Sequence, residues 1–278
     1  MERIKRTHIL ILAVAALALS TAGCNKLSAR DKLNKGVNAY KAGRMEDAVE
    51  LFKQAKELDP ELLNARLYLA TAYASQYIPG APSEENTRHA EAAVKEFKDV
   101  LEKDANNLSA IDGLGSILSN MAGNPFKPEL FEESKTFHKK HIALKSDDPD
   151  PYYWIGFINW TIAYRSNDAL RAEYNKNARR PIKGDEPMPD KLREDFAQKN
   201  AALIEEGIEN LNKAIMHKPD YASAYAYLNL LFRQKADLAG TPTEREELLT
   251  QADNFVEKYK VIKQKELEKA AGGGIQTH

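Results

Sequence analysis

The segment Lys35–Pro60 constrains this chain most, because it forms one helix–turn–helix unit that cannot bury its own apolar face. Gly36 is small where the two helices would touch. Ala48 and Ala55 lie seven residues apart on one helical face, with Phe52 between them, and Pro60 ends the second helix. A unit of this kind needs neighbours stacked upon it, so the rest of the chain should repeat the pattern.

It does so, in degenerate form. Repeats begin near residues 29, 63, 108, 149 and 222. The second places Tyr68, Leu69, Ala70 and Tyr73 on its first helix and Ala93, Phe97 and Val100 on its second. Between them Tyr77–Ser83 is a turn-rich insertion, about eleven residues beyond a unit of about 34. The third carries Leu114, Gly115 and Leu118, then a loop at Asn124–Pro128. Its second helix, from about Glu129 to Lys145, has Ser134 and His138 where Ala and Phe are usual. The fourth places Tyr153, Trp154, Gly156, Phe157 and Trp160 on its first helix, and Gly207, Leu211, Ala214 and Pro219 at repeat spacing on its second. The gap between them exceeds the norm by about 39 residues. Over 165–206 this insertion is charged and periodic, which predicts a long antiparallel helical hairpin. Its tip is Arg180–Pro189, where prolines and a glycine forbid helix, and Asp190 stands where a cap for the descending helix is expected. The fifth carries Tyr225, Leu228, Leu231 and Phe232; Thr243 with Glu246 reads as a capping box for the last helix. That helix runs to about Ala270 and turns strongly charged, as the end of a repeat stack requires. Residues 271–278 read as a frayed tail.

The pattern resembles the tetratricopeptide (TPR) repeat over nearly the whole chain after residue 28. The expected fold is therefore all-α, a TPR-like solenoid of about five degenerate repeats over 29–270. The Tyr152–Gly156 and Tyr227–Leu231 segments are also similar to segments of a group of bacterial envelope TPR proteins. In TPR proteins the first helix of each repeat lines a groove that binds a protein or peptide. The resemblance places Asn34, Tyr40 and Lys41 there from the first repeat, and Tyr68, Thr71 and Ser75 from the second. The third gives Asp112, Ser116 and Asn120; the fourth gives Tyr153, Trp154, Phe157 and Trp160; the fifth gives Tyr227, Arg233 and Gln234. Both tryptophans of the chain fall on one short stretch of one helix, and Trp, Tyr and Arg dominate binding hot spots. They could equally serve as packing against the long hairpin descending beside them. Some TPR proteins grip a peptide's terminal carboxylate with a Lys–Asn pair on the first repeat. The corresponding places here are Leu33 and Val37, so aromatic and neutral polar contacts are expected instead.

The chain opens with Arg3, Lys5 and Arg6, then an apolar run from Ile9 to Leu19, then small residues up to Gly23. This layout is an export leader, too short to span a bilayer. Gly23-Cys24 resembles the lipobox of bacterial lipoproteins, although Thr21 stands where Leu is usual. The resemblance implies a signal peptide over 1–23, acylation of Cys24, and a short lipidated tether over 24–28. Asn25 in the place where Asp favours inner-membrane retention implies the outer membrane, facing the periplasm. Cys24 is the sole cysteine, so no disulfide within the chain is possible. Conventional cleavage after Ala22 would instead leave a free thiol.

Nothing in the sequence calls for a reaction or a cofactor. Net charge is −1 and no basic run stands out, which argues against nucleic acid. His138 and His141 lie three apart on a helix but have no spaced third ligand and flank Lys139 and Lys140, so a solvated basic face is expected rather than a metal site. Asp147, Asp148 and Asp150 are interrupted by prolines, which suits a helix cap better than a calcium loop. Phosphate-loop, dinucleotide and nucleophile-elbow motifs do not occur. The expected function is a non-catalytic scaffold, tethered to the envelope by lipid alone, that binds a protein or peptide in an aromatic groove. One alternative is an outer-membrane assembly or pilus and secretion accessory acting through its convex face and hairpin. A cell-wall-processing enzyme using Asp112, Glu173 or Glu205 is the remote one.

Overall fold

The structure of the protein, a computed structural model, describes residues 23–272, and every regular element among them is an α-helix. The expected leader and most of the expected tail fall outside these residues. No helix among them is long and apolar enough to cross a membrane. Two compact units follow one another, the first reaching Ser134 and the second beginning at Lys135.

The first unit contains α1 (described over 23–41), α2 (Met45–Leu58), α3 (Leu63–Gln76), α4 (Glu84–Lys103) and α5 (Leu108–Gly123), with the opening turns of α6 (Pro128–Leu144). Residues 24–28, expected as a tether, are helical and continuous with the rest of α1; Lys26, Leu27 and Ala29 all favour helix. The α1–α2 turn needs Gly43, whose φ of 75° few side chains tolerate. Leu33, Ala39, Ala48, Phe52, Ala55, Ala65, Leu69 and Ala72 form one core. Phe52 is fully buried, and a Cβ on Gly36 would come 2.5 Å from its ring. The glycine is therefore what lets α1 lie against α2. The Tyr77–Ser83 insertion is held by buried Asn86, whose amide accepts from Ile78 N and donates to Ile78 O and Ala81 O. Ser83 and Asn107 cap α4 and α5 through their side chains. Glu96 of α4, nearly buried, accepts Lys56 of α2 and Arg66 of α3, so one carboxylate links three helices.

The second unit contains the remainder of α6, then α7 (Pro149–Asn177), α8 (Asp190–His217), α9 (Ala222–Ala236) and α10 (Pro242–Gly272). Asp148 caps α7, accepting from Asp150 N. Helices α7 and α8, of 29 and 28 residues, are the two arms of the hairpin, joined by 178–189. Gly156 of α7 lets α8 come close enough for its Leu211 to occupy the place of a Cβ, and Gly207 of α8 receives Leu231 of α9 in the same way. Phe196, Ile204, Leu211, Leu228 and Leu231 are wholly buried at the centre.

Two caps differ from expectation. Asp190 is the first helical residue of α8 rather than its cap, because Pro189 already occupies the cap position; its carboxylate pairs with Arg193 at 2.9 Å. The capping box of α10 is Thr241 with Glu244, two residues earlier than Thr243 with Glu246. Thr241 Oγ1 accepts from Glu244 N, and the Glu244 carboxylate accepts from Gly240 N. Pro242 explains the shift, since its fixed φ suits the first helical position.

Candidate functional site

An aromatic seam runs along one face of α7. Tyr153, Phe157, Trp160 and Tyr164 recur at intervals of four, three and four residues, so their rings share that face. Tyr227 of α9 stands at its centre: its ring lies 5.7 Å from Tyr153, 5.2 Å from Phe157 and 5.1 Å from Trp160. Trp160 stacks on Tyr164 at 5.4 Å, and Tyr153 meets Tyr221 at 5.1 Å. Trp154 sits edge-on to Phe157 and parallel to His138 of α6. The tryptophans thus pack toward α6 and α9, while Gly156 faces the descending arm. Burial raises the Tyr153, Tyr221 and Tyr227 phenols above their ordinary range. Tyr153 donates to Tyr227, and Tyr221 donates to Asp150 at 2.9 Å, which raises these two donors further. All three stay protonated near neutrality and act as apolar rings with one polar tip.

The seam opens into a cleft of about 510 Å³ where Trp160 and Tyr164 meet Leu230, Arg233 and Gln234 of α9, Arg245 and Leu249 of α10, and the loop at Gly184–Asp185. Its wall is held by a buried network. Arg171 donates to Asn167 Oδ1 at 2.7 Å and to the carbonyls of Lys183 and Glu186 at 2.9 and 3.0 Å. It also pairs with Asp237 at 3.0 Å, and Asn167 donates to both Asp237 and Gln234. Asn175 exchanges two hydrogen bonds with Ile182. Arg245 donates to Asp185 O at 2.6 Å. The 178–189 connection is therefore fastened over 182–186, and its Gly184–Asp185 turn forms one side of the cleft.

Behind the seam lies a second polar group. Lys135, 5% exposed, donates to Asn159 Oδ1 at 3.0 Å and lies 3.4 Å from Glu206. Asn159 and Lys139 also donate to Glu206, at 2.9 and 2.7 Å. Burial alone would raise the Glu206 carboxyl, but the hydrogen bonds from Lys139 and Asn159 and the two ammonium charges outweigh it and hold it at about 2. Every acceptor and donor here has a protein partner, which suits a brace between α6, α7 and α8 rather than a reaction centre.

The expected site residues divide between the units. In the first, Tyr40 packs on the core, Lys41, Asp112 and Asn120 are exposed, and Tyr68 stacks on Phe52 at 5.6 Å. In the second, Tyr153, Trp154, Phe157, Trp160 and Tyr227 come together, and Arg233 shares the cleft with Trp160. Cys24 is exposed as a free thiol. His138 and His141 do not form a solvated face. They are 3% and 5% exposed, because α6 turns that side inward against α7. Burial, aided by His141, lowers His138 to about 4, so its imidazole is neutral. No group of three or more metal-binding side chains occurs among the described residues. Glu205 pairs with Lys235 and Glu173 with Lys176, both at the surface. Tyr164, Arg245, Leu230 and Leu249 were not singled out by sequence. Tyr164 was readable, one turn beyond Trp160; the others come from elements distant in the chain.

No family model matches this chain, and neither does any curated protein. Solved structures do. A MamA RS-1 double mutant is 15% identical, with 86% of this chain and 96% of that chain covered at a TM-score of 0.56. MamA from residue 41 to its end, from Desulfovibrio magneticus RS-1, is 16% identical over 83% of this chain and 96% of that chain, at 0.53. YrrB, a TPR protein described as having an unusual peptide-binding site, is 12% identical over 84% and 90%, at 0.50. The likeness establishes the fold: this chain is an all-α protein of TPR-like helix pairs.

Proposed function

We propose that the protein is a non-catalytic scaffold that binds a protein or peptide partner through the aromatic seam and cleft of its second unit. The observation that carries this reading is the continuity of Tyr153, Phe157, Trp160 and Tyr227 with an open cleft carrying Arg233. Half-exposed aromatic rings beside a guanidinium are the side chains that dominate interface energetics. The volume is within the range of ordinary ligand sites. The likeness in fold to YrrB, itself described as peptide-binding, is consistent with it. We further propose that Cys24 carries the lipid anchor and that the scaffold faces the periplasm from the outer membrane. The export layout of the first residues and the exposed lone thiol support that part. Tethering would concentrate the partner at the membrane surface.

The test is photo-crosslinking in intact cells from an unnatural side chain at position 233, followed by identification of the adduct. Trp160→Ala should abolish the adduct while circular dichroism stays helical; an unchanged adduct would remove the seam from the binding surface. Palmitate labelling that disappears in Cys24→Ala would establish the anchor, and labelling that persists would refute it.

A further inference from the structure

Resting on the Cys24 anchor of that reading, we propose that α1 lays its outer flank along the surface of an anionic bilayer. One side of α1, at Ala29, Leu33, Gly36 and Ala39, is buried in the first unit. The opposite side carries Cys24, Leu27, Asn34, Asn38 and Lys41, all exposed and spaced for one helical face. Leu27 is 73% exposed and stands one turn from Cys24. A single bare leucine is ordinary on a protein surface, but this one shares a face with the anchoring sulfur. The helix is unbroken from Cys24 onward, so no slack separates an acyl chain on that sulfur from the flank. From Cys24 to Lys41 the flank is about 25 Å long.

Charge argues for what the flank meets. From Cys24 to Arg44 the chain has Lys26, Arg30, Lys32, Lys35, Lys41 and Arg44 against the single acid Asp31, although the whole chain carries −1. Asp31 pairs with Lys35 and Asp47 of α2 with Arg44, and both pairs are solvated, so neither neutralises the surface firmly. Glu61, in the turn after α2, is held by Lys103. Arg30, Lys32 and Lys41 enter no ion pair among the described residues. The end of a repeat stack needs a polar flank, but charge of either sign would serve. Nearly unmixed positive charge along the anchored helix is what anionic headgroups attract, each basic side chain adding to the attraction. The consequence is orientation: a lipid alone lets the protein swivel, whereas this flank holds one side of the first unit to the bilayer.

The test uses the chain from residue 24 onward with Cys24→Ser, which keeps all of α1 and carries no lipid. It would be sedimented with vesicles of phosphatidylcholine alone, or with about 30 mol% phosphatidylglycerol added. Partition onto the anionic vesicles should be at least about tenfold greater, and salt at about 0.5 M should remove most of the preference. Arg30→Gln combined with Lys41→Gln, both at exposed positions, should also remove most of it while circular dichroism stays helical. Leu27→Asn should weaken anionic binding severalfold, because it withdraws the apolar contact but no charge. Equal partition onto both vesicles, partition onto neither, or a preference untouched by the paired Gln changes would each overturn the inference. So would competition by soluble polyglutamate as complete as that by anionic vesicles, with Leu27→Asn silent, since that pattern marks an acidic protein as the occupant. The anchor is scored separately. Palmitate labelling that persists in Cys24→Ala, with the vesicle preference intact, removes the anchor and keeps the flank. Labelling lost in Cys24→Ala, with equal partition, keeps the anchor and removes the flank.

Discussion

At single residues, the tightest constraints are where a helix backbone meets a neighbour's side chain. Gly156 is one such place, with Leu211 seated where a Cβ would be. Both are buried at the α7–α8 crossing, so Gly156→Ala must push the arms apart. We expect a loss of about 1–3 kcal/mol in urea unfolding, with helicity retained. His138 is a second constraint, of another kind. Its ring is parallel to Trp154 and is held neutral, with an ordinary value of 6.5 lowered to about 4 by burial. Between those values the unfolded chain binds the proton and the folded one does not. Its contribution is therefore complete above pH 6.5 and is lost as pH falls toward 4. His138→Phe, which keeps the stack, should flatten that part of the stability–pH curve, by an amount on the order of 3 kcal/mol at its acid end. The resemblance to the repeat pattern put Tyr153, Phe157 and Trp160 on one helix, and in the structure their rings meet around Tyr227. Sequence reading mistook His138 because a His-Lys-Lys-His run looks solvated, and periodicity does not say which side of a helix meets its neighbour. It missed Lys135, Asn159 and Glu206 for the reason that polar residues on three separate helices reveal no partnership until those helices are stacked.

At the level of elements, the hairpin is the feature that sets this chain apart from a plain row of helix pairs. Its two arms and tip were legible, since charged helical periodicity on both sides of a proline-rich stretch leaves few alternatives. What was not legible is how the tip is fastened. Arg171 lies 8% exposed by side chain beside Asp237 at 7%, and together with Asn167 they bridge α7, α9 and the connecting loop. Removing Arg171 would leave a buried carboxylate without its counterion and two loop carbonyls without a donor. Arg171→Ala is expected to cost about 3–5 kcal/mol. It should also release 178–189, seen as faster tryptic cleavage after Arg179 or Lys183 under native conditions. A loop cut no faster than in the unmodified protein would show that Asn175 and Arg245 suffice to hold it. The cap assignments failed by one or two residues for a local reason. In both cases a neighbouring proline, Pro189 or Pro242, decides where helix begins, ahead of the nearest acidic or hydroxyl side chain.

For the whole molecule, the two units should respond differently to acid. The groups with strongly lowered values, His138 and Glu206, both belong to the second. Glu206 drops from 4.5 to about 2, so its pairing contributes fully above 4.5 and is lost as pH falls toward 2. It is partly solvated, and its share should be small beside that of His138. The first unit draws on an alanine- and leucine-rich core around Phe52. Acid titration should therefore unfold the chain in two stages, with tryptophan emission changing before the helical signal is half lost; coincident transitions would contradict this. Glu206→Gln should move only the later part of the first stage. The long helix α7 has a final implication for how such a chain can change over generations. One rod meets α8 through Gly156, α9 through its rings and the loop through Arg171, so its sides are phased like the wards of a key. Inserting one residue after Tyr164 would turn everything beyond it by about 100° and swing Asn167 and Arg171 away from Asp237. Length variants of this hairpin should accordingly differ by near-integral numbers of turns, about seven or eleven residues in each arm, and intermediate lengths should not persist.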